Sequence, residues 1–397
     1  MQFAIVGCGN VATFYAKTLP LHAELQLVGV MDRDEKRSTA FSSYYSVPRY
    51  SSLNELLEDP KVQLVVNLTN PASHYSVSKT CLEAGKHVYS EKPLATSFSE
   101  AEQLVNLAEQ KGLLISSAPS RVLAETAQTM WKALRENAIG KVRLAYAEMD
   151  GGLIHGMQYK KWMNELGIPW PYKDEFEVGC TIEHAGYPVT LLTAFFGPIE
   201  TVTAFSSCQI RNKRTDVPLE MSPPDFSVAC IKFQSGPVAR LTCSWIAPPD
   251  HSFRIFGDEG ILCTDDIWRP RSAVYIKRYV TIGRKTMLAP WKKRYPLVGP
   301  PESLITRARR FVAPPRARVR AIRARLRHLK TRVDFCLGVA ELASAAREGR
   351  PCRLSDRYCL HCNEVMLAIH NSLGNGGTYR VTTSFDPFEP MPWAKTG

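Results

Sequence analysis

Residues 2–12 read Gln-Phe-Ala-Ile-Val-Gly-Cys-Gly-Asn-Val-Ala, and this stretch decides the fold. Its first six residues predict a buried strand, and helical character follows from 11 to 19. Between them stands a Gly-x-Gly-x-x-Ala turn. In this turn Gly7 permits a tight bend, Gly9 leaves room for a pyrophosphate and Ala12 allows close packing of the helix. Because free N–H groups at the start of such a helix attract phosphate, the stretch predicts a dinucleotide-binding site.

A second predicted strand, 25–31, ends in Asp32, which lies 20 residues beyond Ala12. An acid at this position hydrogen-bonds the adenosine ribose 2′-OH and repels a 2′-phosphate, which favours NAD over NADP. Arg33 follows directly, and its guanidinium can stack on adenine or bind a phosphate, so NADP remains open. A chance glycine turn is the alternative, but strand, turn, helix, second strand and acid all occur in the required order.

The order of predicted elements divides the chain into two domains, as its length of 397 residues suggests. In 1–120, strands alternate with helices, which predicts a doubly wound parallel sheet of the Rossmann type, an α/β fold. In 121–385, longer alternating strands predict an α+β domain with a large, mostly antiparallel open sheet. Within it the aromatic loop 155–175 would wall a pocket, one helix would cover 181–196, and 265–315 would be irregular.

The composition is that of a globular enzyme, with 45% hydrophobic and 22% charged residues. No run approaches about 18 apolar residues, so no transmembrane helix is expected. The first strand begins at residue 2, which leaves no room for a signal peptide and predicts a cytoplasmic protein. Eleven scattered cysteines suit reduced thiols. Cys359 and Cys362 form a Cys-x-x-Cys pair, but no second pair matches it, so no metal site is predicted.

The net charge of +12 is concentrated in residues 307–332, which hold ten Arg and one Lys without an acid. They belong to a basic insertion of about 283–332, and the rest of the chain is nearly neutral. Apolar residues at intervals of three and four predict an amphipathic helix there. It is interpreted as a solvated surface helix, as a contact for an anionic membrane surface, or as a site for a phosphorylated substrate or an acidic partner; no nucleic-acid partner is expected. The apolar positions are Val319, Ile322, Leu326, Leu329 and Val333.

Further motifs carry a resemblance to a known family. Glu91-Lys92-Pro93 follows the fourth predicted strand, and Thr69-Asn70-Pro71-Ala72-Ser73-His74 follows the third. Together with the glycine turn and Ile139-Gly140-Lys141-Val142, they resemble the glucose–fructose oxidoreductase / inositol dehydrogenase / MocA (Gfo/Idh/MocA) family. The resemblance implies a Rossmann domain and an α+β domain whose open sheet often mediates contacts in a homo-oligomer. It also implies NAD(P)-dependent oxidation or reduction of a small carbohydrate-like substrate: a sugar, nucleotide sugar or cyclitol.

The resemblance also implies the catalytic residues. Many relatives carry Asp-x-x-x-His in the second domain, and the matching positions here are Glu183 and Tyr187. Tyrosine keeps an acid/base group but raises its intrinsic pKa from about 6.5 to about 10. Tyr187 would move the substrate hydroxyl proton, while the charge of Lys92 would hold the same oxygen and depress the pKa of Tyr187. Glu183 would orient Lys92 or a substrate hydroxyl, and His184 would be a second acid/base.

Each of these residues has a structural alternative, such as a solvated strand-end Lys92 or a core Tyr187. Two other functions stay open: redox-neutral cleavage of a glycosidic bond with retained NAD, and an inactive cofactor-sensing regulator. Lys92 and Tyr187 argue against the regulator, because together they can still move a proton. The residues predicted to bind the cofactor are Gly7, Cys8, Gly9, Asn10, Val11, Ala12, Asp32, Arg33, Thr69, Asn70, His74, Glu91 and Lys92.

Overall fold

The computed structural model describes residues 1–300, 333–372 and 377–395. Its first sheet has five strands: β1 Gln2–Val6, β2 Gln26–Met31, β3 Leu64–Asn67, β4 His87–Ser90 and β5 Ile115–Ser117. All pairings are parallel and the order is β2-β1-β3-β4-β5, which confirms the predicted doubly wound sheet. The order reverses between β1 and β3, and ligands bind beyond the carboxyl ends of strands at such a switch point.

Five helices surround this sheet. They are α1 Ala12–Thr18, α2 Glu35–Tyr45, α3 Leu53–Glu58, α4 His74–Glu83 and α5 Phe98–Gln110. Side chains cap the starts of three of them, α2, α3 and α5: for example, Ser52 accepts a hydrogen bond from the N–H of Glu55, and Ser97 from that of Glu100. Such caps satisfy N–H groups that have no partner within the helix. Sequence alone predicted the alternation of strands and helices because apolar periods are local signals.

Within the described residues the second sheet has ten strands. They are β6 Val142–Asp150, β7 Ile199–Ser207, β8 Phe226–Phe233, β9 Val238–Ser244, β10 Phe253–Gly257, β11 Gly260–Thr264, β12 Val274–Ile282, β13 Lys285–Leu288, β14 Lys293–Tyr295 and β15 Thr378–Arg380. Their order is β13-β12-β11-β10-β6-β9-β8-β7-β15, with β14 beside β12. Only the β6–β9 pair is parallel among the described pairings, so the predicted mostly antiparallel sheet is confirmed.

Helices cover one face of this sheet. They are α6 Glu125–Arg135, α7 Tyr172–His184, α8 Gly186–Phe196 and α10 Asp356–His370. Another helix, α9 Leu337–Glu348, packs on the parallel sheet instead. α10 is almost wholly buried, because it packs on β7 and α8 and also on α5 beside the parallel sheet. None of the helices in the described ranges is long and apolar enough to cross a bilayer.

Two predictions about the second half of the chain were wrong. The region 265–315 is not irregular throughout, since β12 and β13 form a hairpin whose turn contains Gly283 at φ 60°. The many arginines and prolines nearby hid this glycine turn. The helix predicted at 181–196 is two helices, and α7 already starts at Tyr172, within the predicted loop. The basic stretch 307–332 lies outside the described residues.

The chain returns to the parallel sheet after residue 332. Phe335 stacks on Phe14 of α1, with ring centroids 5.2 Å apart. The N–H of Cys336 donates to Thr18 at 3.3 Å, and its thiol lies 3.2 Å from the carbonyl of Tyr15. α9 then packs beside β4 and β5. Residues far apart in sequence therefore complete the packing around α1.

Candidate active site

A cavity of about 670 Å³ opens beyond the carboxyl ends of the parallel strands and is lined by residues from both halves of the chain. At its floor Gly7 has φ +100°, and a Cβ there would lie 2.6 Å from the carbonyl oxygen of Leu68. Only glycine fits that bend. Gly9 lines the cavity, and a Cβ on it would meet nothing within 4 Å. The turn therefore leaves the open space that a pyrophosphate needs, and the residues present fit a dinucleotide.

Nearly all the residues predicted to bind the cofactor surround this cavity. Cys8 and Ala12 are the exceptions, because both are fully buried beneath the turn. The N–H of Cys8 still faces the site and donates to Asp32 Oδ2 at 2.6 Å. The cavity-lining members are Gly7, Gly9, Asn10, Val11, Asp32, Arg33, Thr69, Asn70, His74, Glu91 and Lys92.

Asp32 lines the end of the cavity at which the sequence predicts the adenosine ribose. Its other oxygen, Oδ1, accepts from the N–H of Asp34 at 2.8 Å, so two backbone groups fix the carboxylate. Arg33 and Arg37 are exposed beside it and line the same end. The fixed carboxylate can accept hydrogen bonds from a ribose diol, and the two guanidinium groups beside it can attract a 2′-phosphate. The site is therefore suited to NAD and retains the means to accept NADP.

We expect Asp32→Ser to shift cofactor preference toward NADP by about tenfold or more, because removing the carboxylate removes its repulsion of the 2′-phosphate. The measurement is the Kd of NAD and of NADP for both proteins by calorimetric titration. Glu35→Gln, an exposed change three residues away, is the matched control. An unchanged ratio of the two Kd values in Asp32→Ser would contradict the assignment of Asp32 to the ribose.

Lys92 reaches the cavity from the end of β4. Its Nζ donates to Glu183 Oε2, and the side chains are only 17% and 4% exposed. Burial opposes the charge of Lys92, but Glu183 and Glu175 outweigh it and raise the pKa of Lys92. Burial likewise opposes the charge of Glu183, while Lys92 holds the pKa of Glu183 below its ordinary value. Next to Lys92, the buried Glu91 accepts from Tyr15 at 2.7 Å.

Tyr187 faces the same cavity and packs on Trp268, with ring centroids 4.6 Å apart. Burial raises the pKa of Tyr187 to about 12, although the charge of Lys92 acts to lower it. Lys92 thus acts on the pKa of Tyr187 in the predicted direction, and burial of the ring outweighs it. At neutral pH the phenol is a hydrogen-bond donor.

Two histidines stabilise the geometry of the site through hydrogen bonds to neighbouring residues. His184 accepts at Nδ1 from the indole of Trp245 at 3.1 Å, and burial lowers the pKa of His184 to about 3. It is therefore neutral, with its proton on Nε2. His74 is 1% exposed and lies 3.0 Å from the carbonyl of Thr69 and 2.7 Å from that of Pro93. It ties the turn after β3 to the segment that carries Lys92.

The predicted loop 155–175 does wall the cavity, with Trp162 and Trp170 facing it. The loop also touches the glycine turn, because Asn10 donates to the carbonyl of Ile168 at 3.1 Å. Sequence reasoning missed Glu175, Trp245 and Trp268, which come from α7 and from strand ends elsewhere in the second half. They carry no motif, and only folding brings them to the cavity.

A dinucleotide cradle that shares one cavity with a buried lysine–carboxylate pair belongs to the class of NAD(P)-dependent oxidoreductases. Comparison with known proteins agrees. The family described as "Oxidoreductase family, NAD-binding Rossmann fold" of the Gfo/Idh/MocA proteins matches residues 1–118, and its C-terminal domain matches 127–263. The chain belongs to this Gfo/Idh/MocA oxidoreductase family.

Similar proteins include the trans-1,2-dihydrobenzene-1,2-diol dehydrogenase of Mus musculus, 25% identical over 69% of this chain and 77% of that protein. Another is the scyllo-inositol 2-dehydrogenase (NADP(+)) of Bacillus subtilis, 25% identical over 54% of this chain and 57% of that protein. In fold, the WlbA dehydrogenase from Bordetella pertussis, solved with NADH and UDP-GlcNAcA, has a TM-score of 0.68 at 17% identity. That likeness covers 97% of this chain and 98% of the other.

Proposed function

We propose that this NAD(P)-dependent oxidoreductase is a dehydrogenase that acts on the hydroxyl of a small cyclic polyol, sugar or nucleotide sugar, with Lys92, Glu183 and Tyr187 acting on the reacting oxygen. The observation that carries the proposal is that Lys92 Nζ, fixed by buried Glu183, shares a cavity with the glycine turn. The relatives named as dihydrodiol and inositol dehydrogenases support a ring-shaped diol or polyol substrate.

When bound, NAD(P) supplies the hydride acceptor or donor. The ammonium group of Lys92 donates a hydrogen bond to the substrate oxygen and stabilises the negative charge that develops on it during oxidation. The phenol of Tyr187 donates to the same oxygen from the α8 side, and Glu183 prevents Lys92 from turning away. Trp162 and Trp170 exclude water and offer flat faces to the apolar side of a ring. His184 remains a proposed second acid/base through Nε2.

The experiment that tests this function follows the nicotinamide absorbance with a panel of cyclitols, sugars, nucleotide sugars and cyclic diols, using both NAD and NADP. Turnover with any member of the panel supports the dehydrogenase. Confirmed cofactor binding without an absorbance change, together with product formation, would replace it by the redox-neutral alternative. The comparisons favour neither that alternative nor the inactive regulator.

We further propose a homo-oligomer that forms through the open face of the large sheet. Outward-facing aromatic and charged side chains support it: Phe205 is 58% exposed, and Arg240 lies over the ring of Tyr146 at 4.2 Å. The carboxylate of Glu148 forms ion pairs with both Arg240 and Arg254. The unpaired cysteines support a reducing, cytoplasmic location. Contact of the basic stretch with a membrane surface remains a proposal that vesicle binding would test.

The variant Phe205→Lys is expected to weaken self-association about 30-fold, as loss of a central aromatic contact does in other interfaces. Sedimentation velocity over a range of protein concentrations measures this. Lys232→Ala serves as the control for any surface change. Lys232 lies on the same face, is charged, and has a side chain that is 55% exposed. Identical sedimentation of Phe205→Lys and the unchanged protein would exclude this face as the interface.

A further inference from the structure

Glu175 stands in contact with the lysine–carboxylate pair, although it lies eight residues before Glu183 on α7. In an uninterrupted α-helix, eight residues span about 12 Å along the axis, which is too far for two carboxyl groups to meet. Yet the carboxyl groups of Glu175 and Glu183 meet at the cavity wall, within hydrogen-bonding reach of each other. Both glutamates line the cavity.

Gly179 explains how they meet. It interrupts α7 with φ 80° and ψ 166°, a conformation that is not helical. A Cβ at this position would lie 2.7 Å from the carbonyl oxygen of Pro224, which instead accepts the N–H of Cys180 at 3.0 Å. Only glycine allows this break and close approach. The break changes the direction of the first half of α7, and this brings the side chain of Glu175 close to that of Glu183.

A hydrogen bond between two carboxyl groups needs one proton between them, because two carboxylates that share a site repel each other. Lys92 donates to Glu183, which places the negative charge there. Burial, together with the charge of Glu183, raises the pKa of Glu175 well above its ordinary value. At neutral pH the trio therefore consists of a protonated Glu175, a charged Glu183 and a charged Lys92.

The neighbouring groups narrow the choice of proton acceptor. Tyr187 is a neutral phenol, Lys92 is already charged, and His184 uses Nδ1 to accept from Trp245. Glu183 is thus the anionic base in contact with Lys92. It is almost fully buried, whereas Glu175 is partly exposed at the cavity wall.

Building on the proposed dehydrogenase function, we infer that Glu175 and Glu183 form a carboxyl pair that takes up the substrate hydroxyl proton through Lys92 and releases a proton to water from Glu175. During oxidation the carbinol C–H electron pair leaves as hydride to the nicotinamide. Lys92 gives one of its three protons to Glu183 while it takes up the proton of the breaking O–H bond, so that Nζ is an ammonium group before and after the step. The C=O bond forms. The pair then holds two protons, and loss of one from Glu175 restores the resting state.

The first test needs neither substrate nor cofactor. Infrared spectra of the free protein at neutral pH are compared for the unchanged chain, Glu175→Gln and Glu177→Gln. Glutamine keeps a donor toward Glu183, so the fold is retained, and Glu177 is a matched control on the same helix that accepts from Glu220 instead. We expect the C=O band of a protonated carboxylic acid to be lost only in Glu175→Gln. Equal bands in all three proteins would overturn the pair.

The second test uses turnover. Glu175→Gln is expected to lower kcat for oxidation by about 10²-fold, to leave KM within a few-fold and to increase the solvent deuterium isotope effect. Added formate is expected to restore part of the rate. Unchanged kcat and isotope effect would overturn the relay. If the unchanged protein oxidises no substrate, the proposed function fails, while the infrared comparison still decides whether the carboxyl pair shares a proton.

Discussion

Lys92→Met is expected to lower kcat by about 10³-fold while NAD affinity changes only a few-fold. The loss follows because the substrate oxygen would face an apolar group where an ammonium now balances its developing charge. Removing the lysine also leaves Glu183 buried without its cation, at a cost of about 3–5 kcal/mol in the free energy of unfolding. Steady-state kinetics, calorimetric titration of NAD and chemical denaturation measure the three quantities.

A double variant separates the two effects. Lys92→Met with Glu183→Gln removes the uncompensated charge, so we expect most of the lost stability to return while kcat stays low. Lys79→Met is the control, because that lysine is 42% exposed and pairs only with Glu83 on the surface of α4. If the double variant recovered activity along with stability, Lys92 would be a structural residue and the proposed chemistry would fail.

Gly7→Ala and Gly9→Ala are expected to differ although both remove a glycine from the same turn. Alanine at position 7 meets the carbonyl of Leu68 and must adopt φ +100°, so we expect a loss of about 3 kcal/mol in unfolding free energy. Alanine at position 9 meets nothing within 4 Å, so stability should stay within about 0.5 kcal/mol. Its methyl group would instead occupy the space of the pyrophosphate and weaken NAD binding at least about tenfold.

Denaturation in urea and titration with NAD give these four numbers. Gly7→Ala should lose stability and NAD binding together, whereas Gly9→Ala should lose NAD binding alone. Undiminished NAD affinity in Gly9→Ala would mean that the phosphates lie elsewhere in the cavity.

The sequence located the parallel sheet and the glycine turn because their signals are local. The turn at Gly7, the acid at Asp32 and the lysine at position 92 each follow a strand within a few residues, and parallel strands bring such ends to one edge. The contact between Lys92 and Glu183 came from the family resemblance, and the structure shows the two side chains bonded. Their catalytic roles stay predictions.

The missed features depend on geometry that no short pattern encodes. Glu175 meets Glu183 only because one glycine breaks α7, and a helical count over 181–196 cannot reveal it. Trp245 and Trp268 come to the cavity from the ends of strands in the large sheet. The net rise of the pKa of Tyr187 could not be predicted, because burial depends on packing from several elements, whereas the lowering effect of one neighbouring charge follows from a motif.

The stacking of Phe335 on Phe14 affects how the cofactor site forms during synthesis of the chain. During translation the glycine turn and α1 leave the ribosome more than 300 residues before the aromatic side chain that covers α1 is made. Phe14 and Phe335 both line the cavity. The nascent protein therefore exposes an unfinished nucleotide pocket until Phe335 has been made, and a stop codon that removes Phe335 would yield a chain with an incomplete cofactor site.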